Sequence, residues 1–353
     1  MNNPKPFDIL DQFAKFGLAH KLSLREPDTV SAFVKHASVE VERALADPTL
    51  LYGQRTEAMF EALAVSLGDF TLIKREDTGF VFPDEGFAVP DFRVVLNSGE
   101  QWLIEVKNVY EENPGEQRRR LMNLDYRRKL EAYSAATGAQ LKLAVFWARW
   151  GLWTLVSPER LLDENGDLIL DMFQAMKSNE MAAIGDRSIG TKSPLLLRFI
   201  PDPEKTSAIA EDGSVQITIG GVEIYCGEEE IVDPVEREIV WIFMQHGEWE
   251  ETGPEAEVEG RILKAIQFRW EPQQHSEDGF DMIGSLSRMF SRHYAEATVE
   301  NREVVQVRAP HRPDWLAPIL SIDIQSAKLP LWVFVQQPNF EGLDGGIQAD
   351  KGH

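Results

Sequence analysis

One cysteine, Cys226, in 353 residues excludes a disulfide framework and fits a reducing cytoplasm. It lies in an apolar stretch and is expected to be a small buried residue. No apolar run approaches the ~18 residues that mark a spanning helix, and the first residues show no leader pattern. A soluble, cytoplasmic protein without a membrane partner is therefore expected. The seven histidines include no pair at metal-binding helical spacing and there is no cysteine pair, so structural zinc is not expected. Nothing resembles a nucleophile elbow, and neither repeats nor low-complexity tracts occur. Gly185–Ser193 approaches phosphate-loop spacing but has one residue too many before Lys192, and reads as a loop.

Basic charge is scarce overall, with a net charge of −22, but the deficit is uneven. Residues 1–150 hold 19 Lys+Arg against 22 Asp+Glu, whereas residues 151–353 hold 17 against 36. The first half is thus near neutral and can approach a phosphate backbone; the second half is unsuited to it. The second half could hold a protein partner, mask a basic groove or keep the chain soluble.

What is present begins with Val89-Pro90-Asp91-Phe92, followed fourteen residues after the Asp by Glu105-Val106-Lys107. These lie on strand-like segments, Phe87–Leu96 and Gln101–Val109, joined by the turn Asn97–Glu100. Residues i and i+2 of a strand share a face, so Glu105 and Lys107 project together while Ile104 and Val106 face the other way. If the strands pair, Asp91 joins them. A strand apolar enough to carry Trp102, Ile104 and Val106 should not carry ionised groups without partners or a task. Phe82-Pro83-Asp84-Glu85 offers a rival acid, but Asp84 reads as the tip of a turn.

This constellation resembles the PD-(D/E)XK nuclease superfamily, matched as Pro90-Asp91 and Glu105-Val106-Lys107 over about residues 50–156. The element order agrees: an amphipathic helix through Tyr52–Leu63 ending at Gly68, strand Phe70–Lys74, the two motif strands, a helix Gly115–Thr137, and strands Gln140–Trp147 and Trp150–Val156. The resemblance implies a restriction-endonuclease-like α/β (α+β) core, a mixed sheet flanked by helices. It implies that Asp91, Glu105 and the Val106 carbonyl hold Mg²⁺ or Mn²⁺, as oxygen-only donors suit. Lys107 would polarise the attacking water, and Glu57 on the first helix would reach the site, with Glu61 one turn later as the spare.

The helix after the motif carries Arg118, Arg119, Arg120, Arg127, Arg128 and Lys129, a basic face suited to nucleic acid. Lys129 and Tyr133 resemble, imperfectly, the Q-x-x-x-Y of some nuclease families, with Lys in place of Gln. Tryptophans such as Trp147, Trp150 and Trp153 are expected in the core.

The domain expectation is a helical extension at 1–50, a nuclease-like domain at 51–200, an acidic α+β domain at 201–341 and a flexible tail at 342–353. The extension reads as helices Phe7–Leu22 and Asp28–Ala46. Asn179–Ser193 reads as a loop and Pro201–Gly213 as a linker. Beyond it come a hairpin of Ser214–Ile219 and Val222–Cys226, helices Pro234–His246, Val258–Phe268 and Phe280–Ala297, and strands Val304–Arg308 and Leu331–Gln336. That order faintly resembles a winged helix, with Arg288, Arg292, His293 and Tyr294 on its third helix.

The functional expectation is a metal-dependent nuclease acting on DNA, in restriction, anti-phage defence or repair. Two alternatives stand beside it: a nuclease fold used only to bind DNA or protein, and an RNA-cleaving enzyme. A homodimer would suit cutting both strands, though no interface is readable.

Overall fold

Asp47 accepts hydrogen bonds from the backbone N–H groups of Thr49 and Leu50, and Pro48 follows it, so a helix starts there. That helix, α3 (Pro48–Leu67), stops at Gly68 in a left-handed conformation. Before it, α1 (Pro6–His20) and α2 (Pro27–Leu45) pair through Phe13, Phe16 and Phe33, with ring centroids 5.4 and 5.6 Å apart. The computed structural model describes residues 6–76, 86–110, 119–163, 165–310, 313–321, 326 and 328–340.

The buried side of α3, including Met59, Phe60 and Leu63, covers one face of a five-stranded sheet. Its strands in sequence are β1 (Leu72–Arg75), β2 (Phe92–Val95), β3 (Gln101–Val109), β5 (Gln140–Trp147) and β6 (Leu152–Val156). They lie side by side in that order. Every pairing is antiparallel except β3 with β5, between which α4 (Leu124–Thr137) makes the crossover. Leu130 of α4 packs with Leu103 and Leu141 on the face opposite α3. The short β4 (Arg119–Arg120) pairs with β7 (Ile169–Leu170), and α5 (Met172–Lys177) follows. The whole is a mixed α+β architecture with a mixed sheet between helices.

The second half is built mainly of antiparallel strands. Its strands are β8 (Ser188–Thr191), β9 (Leu195–Pro201), β10 (Ile219–Cys226), β11 (Glu229–Glu230), β12 (Glu250–Glu259), β13 (Ile262–Glu271) and β14 (Asp281–Ser285), then β15 (Val299–Glu300), β16 (Glu303–Val304) and β17 (Leu331–Phe334). The helices are α6 (Pro234–His246), α7 (Leu286–Thr298) and the short α8 (Ala317–Ser321). One sheet runs β11-β10-β9-β13-β12 and another β14-β8-β17.

Several expectations change here. The helix expected over Val258–Phe268 is instead the hairpin of β12 and β13, turning at Gly260-Arg261 with Gly260 at φ +61°. Its apolar residues mimic helical spacing because a register shift between Glu257 and Val258 breaks strict alternation. No hairpin turns at Gly220-Gly221: β10 runs through it from Ile219 to Cys226, with the irregularity absorbed between Ile219 and Gly221, and residues 214–218 are not strand. The expected loop Asn179–Ser193 contains a 3₁₀ turn, Met181–Ile184, and β8. In place of the helix Phe280–Ala297, residues 281–285 are strand and Ser285 caps a helix starting at Leu286. No winged helix forms from these elements. The basic helix α4 starts at Leu124, where Asn123 caps it, and residues 115–118 of the expected helix lie outside the described residues. Of the expected strand Phe87–Leu96, only Phe92–Val95 is regular. Trp150 is exposed, whereas Trp147, Trp153 and Cys226 are buried. The tail at 342–353 and the rival Asp84 lie outside the described residues.

The two halves share one apolar core. β9 (Leu195–Pro201), which runs across the expected boundary at residue 200, pairs with β10 on one side and β13 on the other. Arg55 Nε donates to Thr298 Oγ1 at 2.8 Å, and Trp153 Nε1 to Ser291 Oγ at 3.0 Å, both pairs buried. The Phe60 ring lies 5.7 Å from Phe92 and 5.5 Å from Trp153, at the centre of that core. Phe60→Ala should cost about 3–5 kcal/mol. Because the core is continuous, thermal unfolding should remain a single transition shifted down; two separated transitions in calorimetry would refute the shared core.

Candidate active site

The geometry starts from the hairpin of β2 and β3. Gly99, at φ +90°, allows the tight turn in which Leu96 N donates to Glu100 O and Gly99 N to Leu96 O, both at 2.9 Å. That turn sets the register Val95 opposite Gln101 through Phe92 opposite Ile104. One step further, Asp91 falls opposite Glu105. Asp91 is anchored on both sides: its carbonyl accepts from Glu76 N at 2.9 Å, and its Oδ2 accepts from Val106 N at 2.7 Å.

Glu105 is 3% exposed. Its Oε1 accepts from Lys107 Nζ at 2.5 Å and from Tyr126 Oη at 2.8 Å. Its other oxygen, Oε2, is buried with no hydrogen bond. Lys107 Nζ also sits 5.4 Å from the centroid of the Tyr126 ring. Burial first, then the neighbouring Glu105 charge, pushes the Asp91 carboxyl up to about 8; Glu57 adds to the rise, while the Val106 N–H and Lys107 oppose it. The site without metal therefore holds Asp91 protonated at neutral pH. Glu57 thus acts on Asp91 across the sheet edge, and it also pairs with Arg75 at 3.7 Å. Glu61, the spare, is tied to Arg75 at 3.0 Å and Arg308 at 3.3 Å.

This donor set fits a hard divalent cation. A buried carboxylate oxygen with no donor, opposite a second carboxyl whose ionisation its charge opposes, is relieved by positive charge. Asp91, Glu105 and the Val106 carbonyl are the oxygens that would hold it.

The basic face expected on α4 does not form as a continuous surface. Arg127 turns inward, 3.4 Å from Glu131, and Lys129 pairs with Asp125 at 3.1 Å. Arg128 points to solvent. Arg119 lies in β4, and Arg118 lies outside the described residues. Tyr133 donates to Glu76 Oε1 at 2.9 Å, and Arg93 Nη2 reaches the same oxygen at 2.8 Å. Burial alone would raise Glu76; the Arg93 and Tyr133 hydrogen bonds outweigh it and hold that carboxyl below its ordinary value.

The sequence reading missed Tyr126, Glu76 and Arg93. Tyr126 had a readable signal: with Leu130 and Tyr133 it falls at helical spacing on one face, and Leu130 packs on Leu103, which shares the Glu105 face of β3. Glu76 and Arg93 belong to β1–β2 pairing and carried no local signal.

No protein-family model and no curated protein matches the chain. Among solved structures, it is similar to Hjc, a Holliday junction resolvase from the archaeal hyperthermophile Archaeoglobus fulgidus, at 20% identity and a TM-score of 0.27, over 36% of this chain and 90% of that one. No described helix is long and apolar enough to cross a membrane.

The Asp91 shift has a measurable consequence. A carboxyl raised from 3.8 to about 8 binds its proton more tightly when folded, so it contributes falling stability as pH rises between those values. In metal-free buffer, Asp91→Asn should therefore gain over wild type with rising pH, by on the order of 1 kcal/mol or about 2–4 °C at pH 8. Equal midpoints for the two proteins from pH 5 to 8 would contradict a buried, repelled Asp91.

Proposed function

We propose that the chain is a metal-dependent nuclease of the PD-(D/E)XK kind, hydrolysing phosphodiester bonds in DNA. The observation that carries this reading is the Glu105 Oε2 atom, buried without a hydrogen bond opposite Asp91 and beside Lys107. Bound at Asp91, Glu105 and the Val106 carbonyl, Mg²⁺ or Mn²⁺ would supply an acidified water and a counter-charge for the phosphorane.

The chain's own residues do the rest. Lys107 Nζ, now on Glu105, is within one side-chain swing of the attacking water and offsets charge building on the phosphate. Tyr126 is a positioning residue: its hydroxyl fixes one Glu105 oxygen so that the other faces the site. Glu57 adds negative charge on the α3 side and would order water there. Arg128, on the exposed side of α4, is left to meet a phosphate backbone, whereas Lys129, Arg127 and Tyr133 hold intramolecular partners. A pair of chains would suit cutting both strands of a duplex. The acidic second half is unsuited by its charge to such contacts and suits a protein partner or solubility, and a cytoplasmic, defence or repair setting is consistent with this chemistry.

Cleavage of labelled single- and double-stranded DNA and RNA, with Mg²⁺, Mn²⁺ or EDTA, tests the reading. Lys107→Ala and Glu105→Gln should lose at least roughly 10²–10³-fold in rate with the fold intact. Tyr126→Phe should lose roughly 10–100-fold, the scale of a support to a metal ligand. Undiminished cutting by Lys107→Ala would remove the mechanism, and cutting of RNA alone would favour the RNA-cleaving alternative. Arg128→Glu should weaken DNA binding and flatten its salt dependence by about one charge without changing the metal requirement.

A further inference from the structure

No two histidines stand at metal-binding spacing in the sequence, yet the fold brings His246, the last residue of α6, against His293 and Glu296, i and i+3 on α7. Their donor atoms all lie within 4.8 Å of one another. His246 is 3% exposed, and its ring lies 5.1 Å from His293 and 5.3 Å from Trp315. His293 stacks flat on Trp315, with centroids 4.5 Å apart and planes 5° apart. Both imidazoles are thus fixed by packing before any ligand arrives.

One buried atom in this cluster has no hydrogen bond. His246 Nδ1 stands 3.3 Å from Glu296 Oε1, but the geometry is not that of a hydrogen bond. A buried polar atom left unmet is destabilising, and a cation would meet it. The Arg292 guanidinium nearby is directed elsewhere, donating to the His246 and Gly247 carbonyls. The Arg288 guanidinium is paired with Glu248 at 2.7 Å. Glu296 stands at the exposed end, which gives an ion a way in and leaves room for a completing water.

We propose that His246, His293 and Glu296 form a binding site for a borderline transition-metal dication, Zn²⁺ by its chemistry. Two imidazole nitrogens and one carboxylate oxygen select Zn²⁺ or Co²⁺ over Mg²⁺, unlike the oxygen-only set at Asp91 and Glu105. The ion ties the end of α6 to α7, the helix that also holds Trp153 and Arg55 of the first half through Ser291 and Thr298. The site is therefore a clasp within the acidic half, separate from the candidate active site.

The test uses full-length protein stripped with chelator and titrated with Co²⁺, read by its visible absorption, and with Zn²⁺, read by bound stoichiometry and thermal midpoint. Glu105→Gln separates the two sites. His293→Phe with Glu296→Gln removes two ligands while keeping the aromatic stack on Trp315, and circular dichroism checks its fold. The wild type and Glu105→Gln should each show a strong tetrahedral cobalt band equivalent to one ion and a raised midpoint, with Glu105→Gln binding that one ion alone. The double variant should lose both. Absence of the band in wild type, its survival in the folded double variant, or its loss in Glu105→Gln alone would each overturn the assignment. None of these readouts depends on nuclease activity.

Discussion

Everything in the first half is arranged around two carboxylates forced face to face across one hairpin. Asp91 and Glu105 meet because a five-residue turn fixes the register and because Asp91 is held by backbone at both ends. Left alone in a buried place, two carboxylates repel and one of them keeps a proton. The surroundings answer only half of that problem. Lys107 and Tyr126 occupy one Glu105 oxygen, and the other is left bare. A fold optimised for stability alone would have paired or removed it; strain kept at a site is the usual mark of work to be done there.

The supporting layers follow from that constraint. Long apolar β3 and β5 must be covered on both faces, so α3 takes one and α4 the other. Covering the Glu105 face with α4 brings Tyr126 to the carboxylate and Tyr133, about two turns further along, to Glu76. Glu76 in turn holds Arg93 on β2 and, through its backbone N–H, Asp91 itself. The polar cluster on this face is thus one connected set rather than a row of separate charges.

Legibility in the sequence tracked how local each signal was. Gln101–Val109, Gln140–Trp147 and Pro234–His246 fall where their pattern put them, because long apolar strands and a capped helix declare themselves. The meeting of Asp91 with Glu105 was legible once a hairpin was assumed. What failed depended on partners distant in sequence. Val258–Phe268 looked helical because a bulge shifts its alternation, and only Gly260 betrayed the turn. The charges of α4 were counted without Asp125 and Glu131 on the same helix, which absorb two of them. His246 and His293, 47 positions apart, show no spacing at all, so a zinc site could be dismissed from sequence and still be assembled by packing.

The charge distribution now has a structural reason. Strand β12 is the outer edge of its sheet, exposed along its whole length, and carries Glu250, Glu251, Glu255, Glu257 and Glu259. An unpaired strand edge invites another edge to join it, and a row of like charges prevents this. Among the described residues, Glu257 and Glu259 alone of this row have basic partners, Arg198 on β9 and Lys264 on β13, so the edge stays strongly negative. The acidity averaged over the chain is thus partly concentrated on one exposed strand, where like charges keep that edge solitary.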